Sequence, residues 1–140
     1  FNGVVGLRPG PGVVPRGKRL QAFDTLWVEG PMARNVTDVA LMLEAGAGHH
    51  PDDPFSFDTS TKFFDKLEKT TMPRRVAFST DLDIVPMSKE VAKVATTAAK
   101  KLDAAGATVT HDIPDFTGAV TGFQTLRGVL LGTMMGNLLE

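Results

Sequence analysis

Apolar residues in this chain fall into short clusters whose spacing switches between strand-like and helix-like. Residues 3–8 are β-branched and flanked by glycine, which suits a buried strand. Pro9-Gly10-Pro11-Gly12 then stops the ladder, because proline has no N–H to donate and glycine loosens the backbone. Residues 26–33 read again as extended, closing around Pro31. Asn35, followed three positions on by Asp38, is an N-cap signature for a helix of about twelve residues. Within it Val36, Val39, Ala40, Leu43 and Ala47 recur at helical spacing and are expected to face a core, with Gly48 as the stop.

The second half has a strand, helix, strand rhythm. Arg74-Arg75-Val76-Ala77-Phe78-Ser79 reads as a strand, Ser88 caps a helix running to about Ala105, Gly106 closes it, and Ala107-Thr108-Val109-Thr110 reads as the next strand. A right-handed crossover would set the two strands parallel, adjacent or one strand apart. From Phe116 to Leu139, Phe116, Val120, Phe123, Leu130 and Met134 fall at steps of three, four and seven positions, predicting a helix. Gly118, Gly122, Gly128, Gly132 and Gly136 weaken it, each by about 1 kcal/mol relative to alanine, so it needs close packing to persist. The pattern predicts an α/β fold in a single domain: core strands and helix over 1–48, loop and short helix over 49–72, strand-helix-strand over 73–113, and the glycine-spaced helix over 114–140.

Composition narrows the function. Fifteen basic and sixteen acidic side chains leave a net charge of −1, so no overall field draws the chain to nucleic acid or an anionic membrane. Gln124, Arg127 and Asn137 break the last apolar run below membrane-spanning length. The absence of cysteine excludes disulfides, thiolate metal sites and cysteine nucleophiles, and the expected location is cytoplasmic. With 42% apolar residues the chain reads as globular.

Two segments resemble the amidase signature family. Phe23-Asp24-Thr25-Leu26-Trp27-Val28-Glu29-Gly30-Pro31-Met32-Ala33-Arg34, continuing into the helix to Ala45, is one, and Val4-Val5-Gly6-Leu7-Arg8-Pro9 is the other. A looser likeness extends to Phe78-Ser79-Thr80-Asp81-Leu82, Val85-Pro86 and Phe123-Gln124-Thr125-Leu126-Arg127. The resemblance implies a mixed β-sheet core flanked by helices and an enzyme that cleaves carbon–nitrogen amide bonds through a serine acyl-enzyme. It also implies a catalytic set of a lysine and two serines, one after a cis peptide bond, lying N-terminal to the matched segment, so that Phe1 begins just downstream of the nucleophile. No catalytic residue can then be assigned here, no cofactor or metal is implied, and the chain alone is expected to be inactive. Two departures from the family pattern stand out: Val13 where arginine is common, and Trp27 where a small residue is common.

The residues themselves agree with that silence. The four serines, Ser56, Ser60, Ser79 and Ser88, have no glycine neighbour, and none lies in a Gly-x-Ser-x-Gly elbow. Ser88 reads as a helix cap and Ser79 as a strand end. His49-His50-Pro51-Asp52-Asp53 gathers metal-capable groups, but adjacent histidines diverge and no third ligand follows at helical spacing. Asp81-Leu82-Asp83 lacks the glycine and distal glutamate of a calcium loop. Trp27 either fills core space, the favoured reading, or enters a substrate pocket. Arg34, at the junction of extended segment and helix, is expected to bridge a carboxylate and loop carbonyls. The expected role is scaffold and pocket wall of an amidase acting on a small-molecule amide, with a possible homodimer. The alternatives are a noncatalytic α/β module associating through helix 116–139, and a small anion-binding domain using the 9–12 loop.

Overall fold

The computed structural model describes residues 2–18 and 21–136. It is a mixed α/β fold divided into two compact units, Phe1–Thr70 with Thr125–Glu140, and Thr71–Gln124.

In the first unit, β1 (Val5–Gly6) pairs antiparallel with β2 (Met32–Ala33), in the register Val5↔Ala33 and Gly6↔Met32. The Leu7 N–H donates to the Pro31 carbonyl at 3.0 Å and extends the pair by one bond. Both strands are much shorter than the extended stretches 3–8 and 26–33, and the reason is local. The Asp24 carboxylate accepts the N–H groups of Leu26 and Trp27 at 3.0 and 3.1 Å. Arginine guanidinium groups take the carbonyls: Arg8 donates to Thr25 and Leu26, and Arg16 to Trp27. Side chains thus satisfy the backbone groups that a strand partner would otherwise use.

The helix α1 (Val36–Gly46) follows the predicted span closely. Asn35 Oδ1 accepts the Asp38 N–H at 2.8 Å, and Asn35 Nδ2 donates to the Asp38 carboxylate at 3.0 Å, which together fix the first turn. The helix ends at Gly46 with Ala47 as cap, just before the predicted stop at Gly48. Val39, Ala40 and Leu43 are buried, forming the apolar center of this unit, and Ala47 is half-buried. Val36, expected to face the core, is instead exposed at the first position of the helix. α1 packs on that pair and on α2 (Phe63–Lys66), to which Glu44 is tied by accepting the Phe64 N–H at 3.2 Å and pairing with Lys62 at 3.7 Å. A single 3-10 turn, Leu67–Lys69, continues from α2.

The second unit is a crossover. β3 (Arg75–Phe78) and β4 (Thr108–His111) are adjacent and parallel, in the register Arg75↔Thr108 to Phe78↔His111, joined by α3 (Lys89–Ala104). Ser88 caps α3 by accepting the Val91 N–H at 3.3 Å. Its C-terminus is a Schellman arrangement: Gly106, at φ +102°, donates to Asp103 O, and Ala107 donates to Leu102 O. Ala99 and Ala107 are buried where α3 meets the sheet, while Phe78 is half-buried.

The predicted helix from Phe116 appears as α4 (Ala119–Met135). It starts late because Asp115 accepts the Thr117 N–H at 2.8 Å, holding 115–118 in a turn; hydrogen bonds from the Thr117 side chain and backbone keep the Asp115 carboxyl below its usual range. The predicted end, 137–139, lies outside the described residues. Val120, Phe123, Leu126 and Val129 are exposed along α4. Among the described residues no helix is long and apolar enough to cross a membrane.

Candidate functional site

The polar center of the first unit is built on Asp53, a residue only 3% exposed. Its Oδ2 accepts the Arg16 peptide N–H at 3.0 Å, and its Oδ1 accepts that of Phe55 at 3.0 Å. Around it, residues 50–56 close on themselves. The Asp53 N–H donates to the His50 carbonyl, the Ser56 N–H donates to the Asp53 carbonyl, and Ser56 Oγ accepts the His50 N–H at 2.9 Å. Gly12 is buried against this turn at φ +82°, and a Cβ there would lie 1.9 Å from the Phe55 carbonyl oxygen. The proline-glycine stretch therefore seats the 10–17 segment on the 50–56 turn, which delivers Arg16 to the surface.

Arg16 performs the bridging expected of Arg34. Its Nε pairs with Glu29 at 3.1 Å, its Nη1 donates to the Trp27 carbonyl at 3.1 Å and lies 4.0 Å from Asp24, and its guanidinium carbon sits 4.5 Å from the Trp27 ring centroid. Cation–π contact and bidentate reach are the geometric strengths of arginine. Arg34 is exposed and has no hydrogen bond or ion pair among the described residues. Asp24 and Glu29 are engaged by Arg16, and Asp38 by Asn35.

Trp27 is not a core residue. It is 41% exposed, because Arg16 occupies the ring face that packing would otherwise cover. It lines a cleft of about 390 Å³ whose polar edge is Arg16, Lys18, Asp24 and Glu29 and whose apolar wall includes Leu130 and Met134 of α4. Gln21 fastens this loop to α4 by donating its amide to Thr133 Oγ1 and to the Val129 carbonyl.

The other groups singled out in the sequence lie apart from this cleft. Ser56 belongs to the 50–56 turn, Ser60 is exposed, Ser79 Oγ accepts the N–H groups of Asp81 and Leu82, and Ser88 caps α3. His49 is exposed, and His50 Nδ1 accepts the Asp52 N–H at 3.2 Å. Asp81 Oδ1 accepts the Asp83 N–H, holding a turn in which Leu82 and Asp83 both have positive φ. Arg16 and Asp53 were the residues that sequence reasoning missed as partners. A signal existed for Asp53, since an aspartate two residues before a free N–H, as in Asp53-Pro54-Phe55, is an Asx-turn pattern; nothing in the sequence pairs it with Arg16.

The chain belongs to the amidase signature family: the family model described as Amidase matches residues 1–129. It is similar to an acylamidase of Rhodococcus erythropolis, 33% identical over 115 residues that make up 81% of this chain and 24% of that protein. It is also similar to a glutamyl-tRNA(Gln) amidotransferase subunit from Afipia carboxidovorans, 33% identical over 78% of this chain and 22% of the relative. The crystal structure of a bacterial aryl acylamidase belonging to the amidase signature enzymes superposes with a TM-score of 0.66 at 25% identity, over 75% of this chain and 22% of that one. The chain thus spans under a quarter of the length of these relatives.

Proposed function

We propose that the protein carrying this chain hydrolyzes linear amides through a serine acyl-enzyme, and that these residues supply scaffold and pocket wall. In the first step the serine oxygen attacks the amide carbon, the carbon–nitrogen bond breaks, and the amine leaves with a proton. Water then attacks the resulting ester, releasing the carboxylic acid and restoring the serine hydroxyl. The observation that carries this reading is the family match over residues 1–129. The nucleophile is assigned outside this chain, because each of its four serines is either committed to local backbone or exposed without a paired base. A fluorophosphonate probe should therefore leave the chain unlabeled and the chain should not hydrolyze acyl amides. The longer polypeptide that contains it should do both, with the label outside these residues. Labeling of Ser56, Ser60, Ser79 or Ser88 would refute the assignment, and a longer polypeptide inert toward amides would refute the activity.

The exposed face of α4 favors a second reading, a module that associates through this helix. Val120, Phe123, Leu126 and Val129 are each about half exposed or more, on a helix whose described turns bury no side chain. Large apolar side chains left exposed along a helix are candidates for a contact surface. The chain is expected to self-associate at micromolar concentration in light scattering, and Leu126→Lys is expected to shift it to monomer; a monomeric wild-type chain rules this out.

A further inference from the structure

Helix α3 carries two apolar faces, and the sheet covers one of them. Ala92, Ala95 and Ala99 share the face that is buried or half-buried. Val91, Val94, Ala98 and Leu102 fall on the adjoining arc, about 80° wide at the helical period, and all are exposed, Val94 at 67%. Their spacing is that of a seam between packed helices. Apolar side chains exposed in such a seam are candidates for a contact surface, and the charges beside them identify the occupant.

Glu90 and Lys101 border the seam on the same side, one in the first turn of α3 and one in the last. Neither side chain has a hydrogen bond or ion pair among the described residues. Thr97 lies between them, its hydroxyl donating back to the Lys93 carbonyl at 2.8 Å. A second copy of α3 laid antiparallel brings Val91 against Leu102, Val94 against Ala98 and Glu90 against Lys101, each pair repeated by a two-fold axis. Laid parallel, it sets Glu90 against Glu90 and Lys101 against Lys101. The charged border therefore matches itself in one orientation only. A lipid surface fits less well, because Lys89, Lys93 and Lys100, the side chains that would reach anionic headgroups, lie on the opposite side of the helix.

We propose that α3 is a self-association surface, pairing antiparallel with α3 of a second copy through Val91, Val94, Ala98 and Leu102, with the orientation set by Glu90 and Lys101. This contact is separate from α4 and stands independently of the hydrolytic reading. Three large side chains per copy make a small interface, so the dimer is expected to have a Kd of roughly 0.1–1 mM. The Leu126→Lys chain, with association through α4 removed, isolates it. Sedimentation equilibrium of that chain at about 1 mM should show a dimer, and adding Val94→Lys should return it to monomer. Val94 is exposed, so circular dichroism should be unchanged. Glu90→Lys and Lys101→Glu, each added alone, set like charges at both ends of the seam and should weaken the dimer about tenfold. Mixed in equal amounts, these two variants present only opposite charges to each other and should recover the original affinity as a heterodimer. Four results would each overturn the proposal: a monomer throughout, a dimer untouched by Val94→Lys, a mixture no tighter than either charge variant alone, or a chain that binds phosphatidylserine vesicles while staying monomeric.

Discussion

Gly12→Ala is expected to destabilize the first unit by more than about 4 kcal/mol, a loss in the exceptional range for a single substitution. Two independent costs combine. The residue sits at φ +82°, where an L side chain is strained by roughly 1–2 kcal/mol. The added Cβ would also lie 1.9 Å from the Phe55 carbonyl oxygen and 2.4 Å from its carbon, both backbone atoms. That backbone has little room to yield, because the Phe55 N–H is held by the buried Asp53 carboxylate and the turn is closed through Ser56 and His50. Relief requires the 10–17 segment to lift off the 50–56 turn, which releases the Arg16 N–H from Asp53 and frees Arg16 from the Trp27 ring. Urea unfolding followed by Trp27 emission measures this, with Gly10→Ala as the control, since a Cβ there has nothing within 4 Å. Coincident midpoints for the two variants would show that the 10–17 segment is not seated on Phe55 as described.

What the sequence made legible is what short-range chemistry decides. The caps at Asn35 and Ser88, the left-handed stop at Gly106 and the parallel pairing of β3 with β4 were all readable, because each depends on residues a few positions apart or on the handedness of a crossover. The family was readable from residues 4–9 and 23–45 for a similar reason, since its motifs are contiguous. The strands 3–8 and 26–33 were overread because pattern cannot show that Asp24, Arg8 and Arg16 would claim the backbone groups of 25–27. The same blind spot hid the cleft. Arg16 was passed over and Trp27 was placed in the core, yet the two departures most visible in the sequence, Val13 and Trp27, flank the arginine that the structure puts on the indole. Contacts between residues 16 and 53, or 21 and 133, leave no periodicity to detect.

Asp53→Ala is expected to cost about 3–5 kcal/mol, the range for removing one partner from a buried, charge-assisted network. Asp53 is the one buried charged or polar side chain among the described residues, and both its oxygens accept peptide N–H groups, those of Arg16 and Phe55. Alanine leaves those two donors facing a small apolar void, where each loses its partner without gaining water freely. Asparagine separates the contributions. Its one carbonyl oxygen can serve a single N–H, while its amide nitrogen would be set against the other, so Asp53→Asn should fall no better than midway between wild type and Asp53→Ala. The loss should be visible locally before the unit unfolds, as faster hydrogen exchange at the Arg16 and Phe55 amides and as a change in Trp27 emission when Arg16 loses its anchor. Ser60→Ala, on the exposed continuation of the same loop, should leave all three signals in place. If Asp53→Ala exchanges and melts like Ser60→Ala, the carboxylate is solvated rather than buried, and the arrangement that presents Arg16 to Trp27 has another cause.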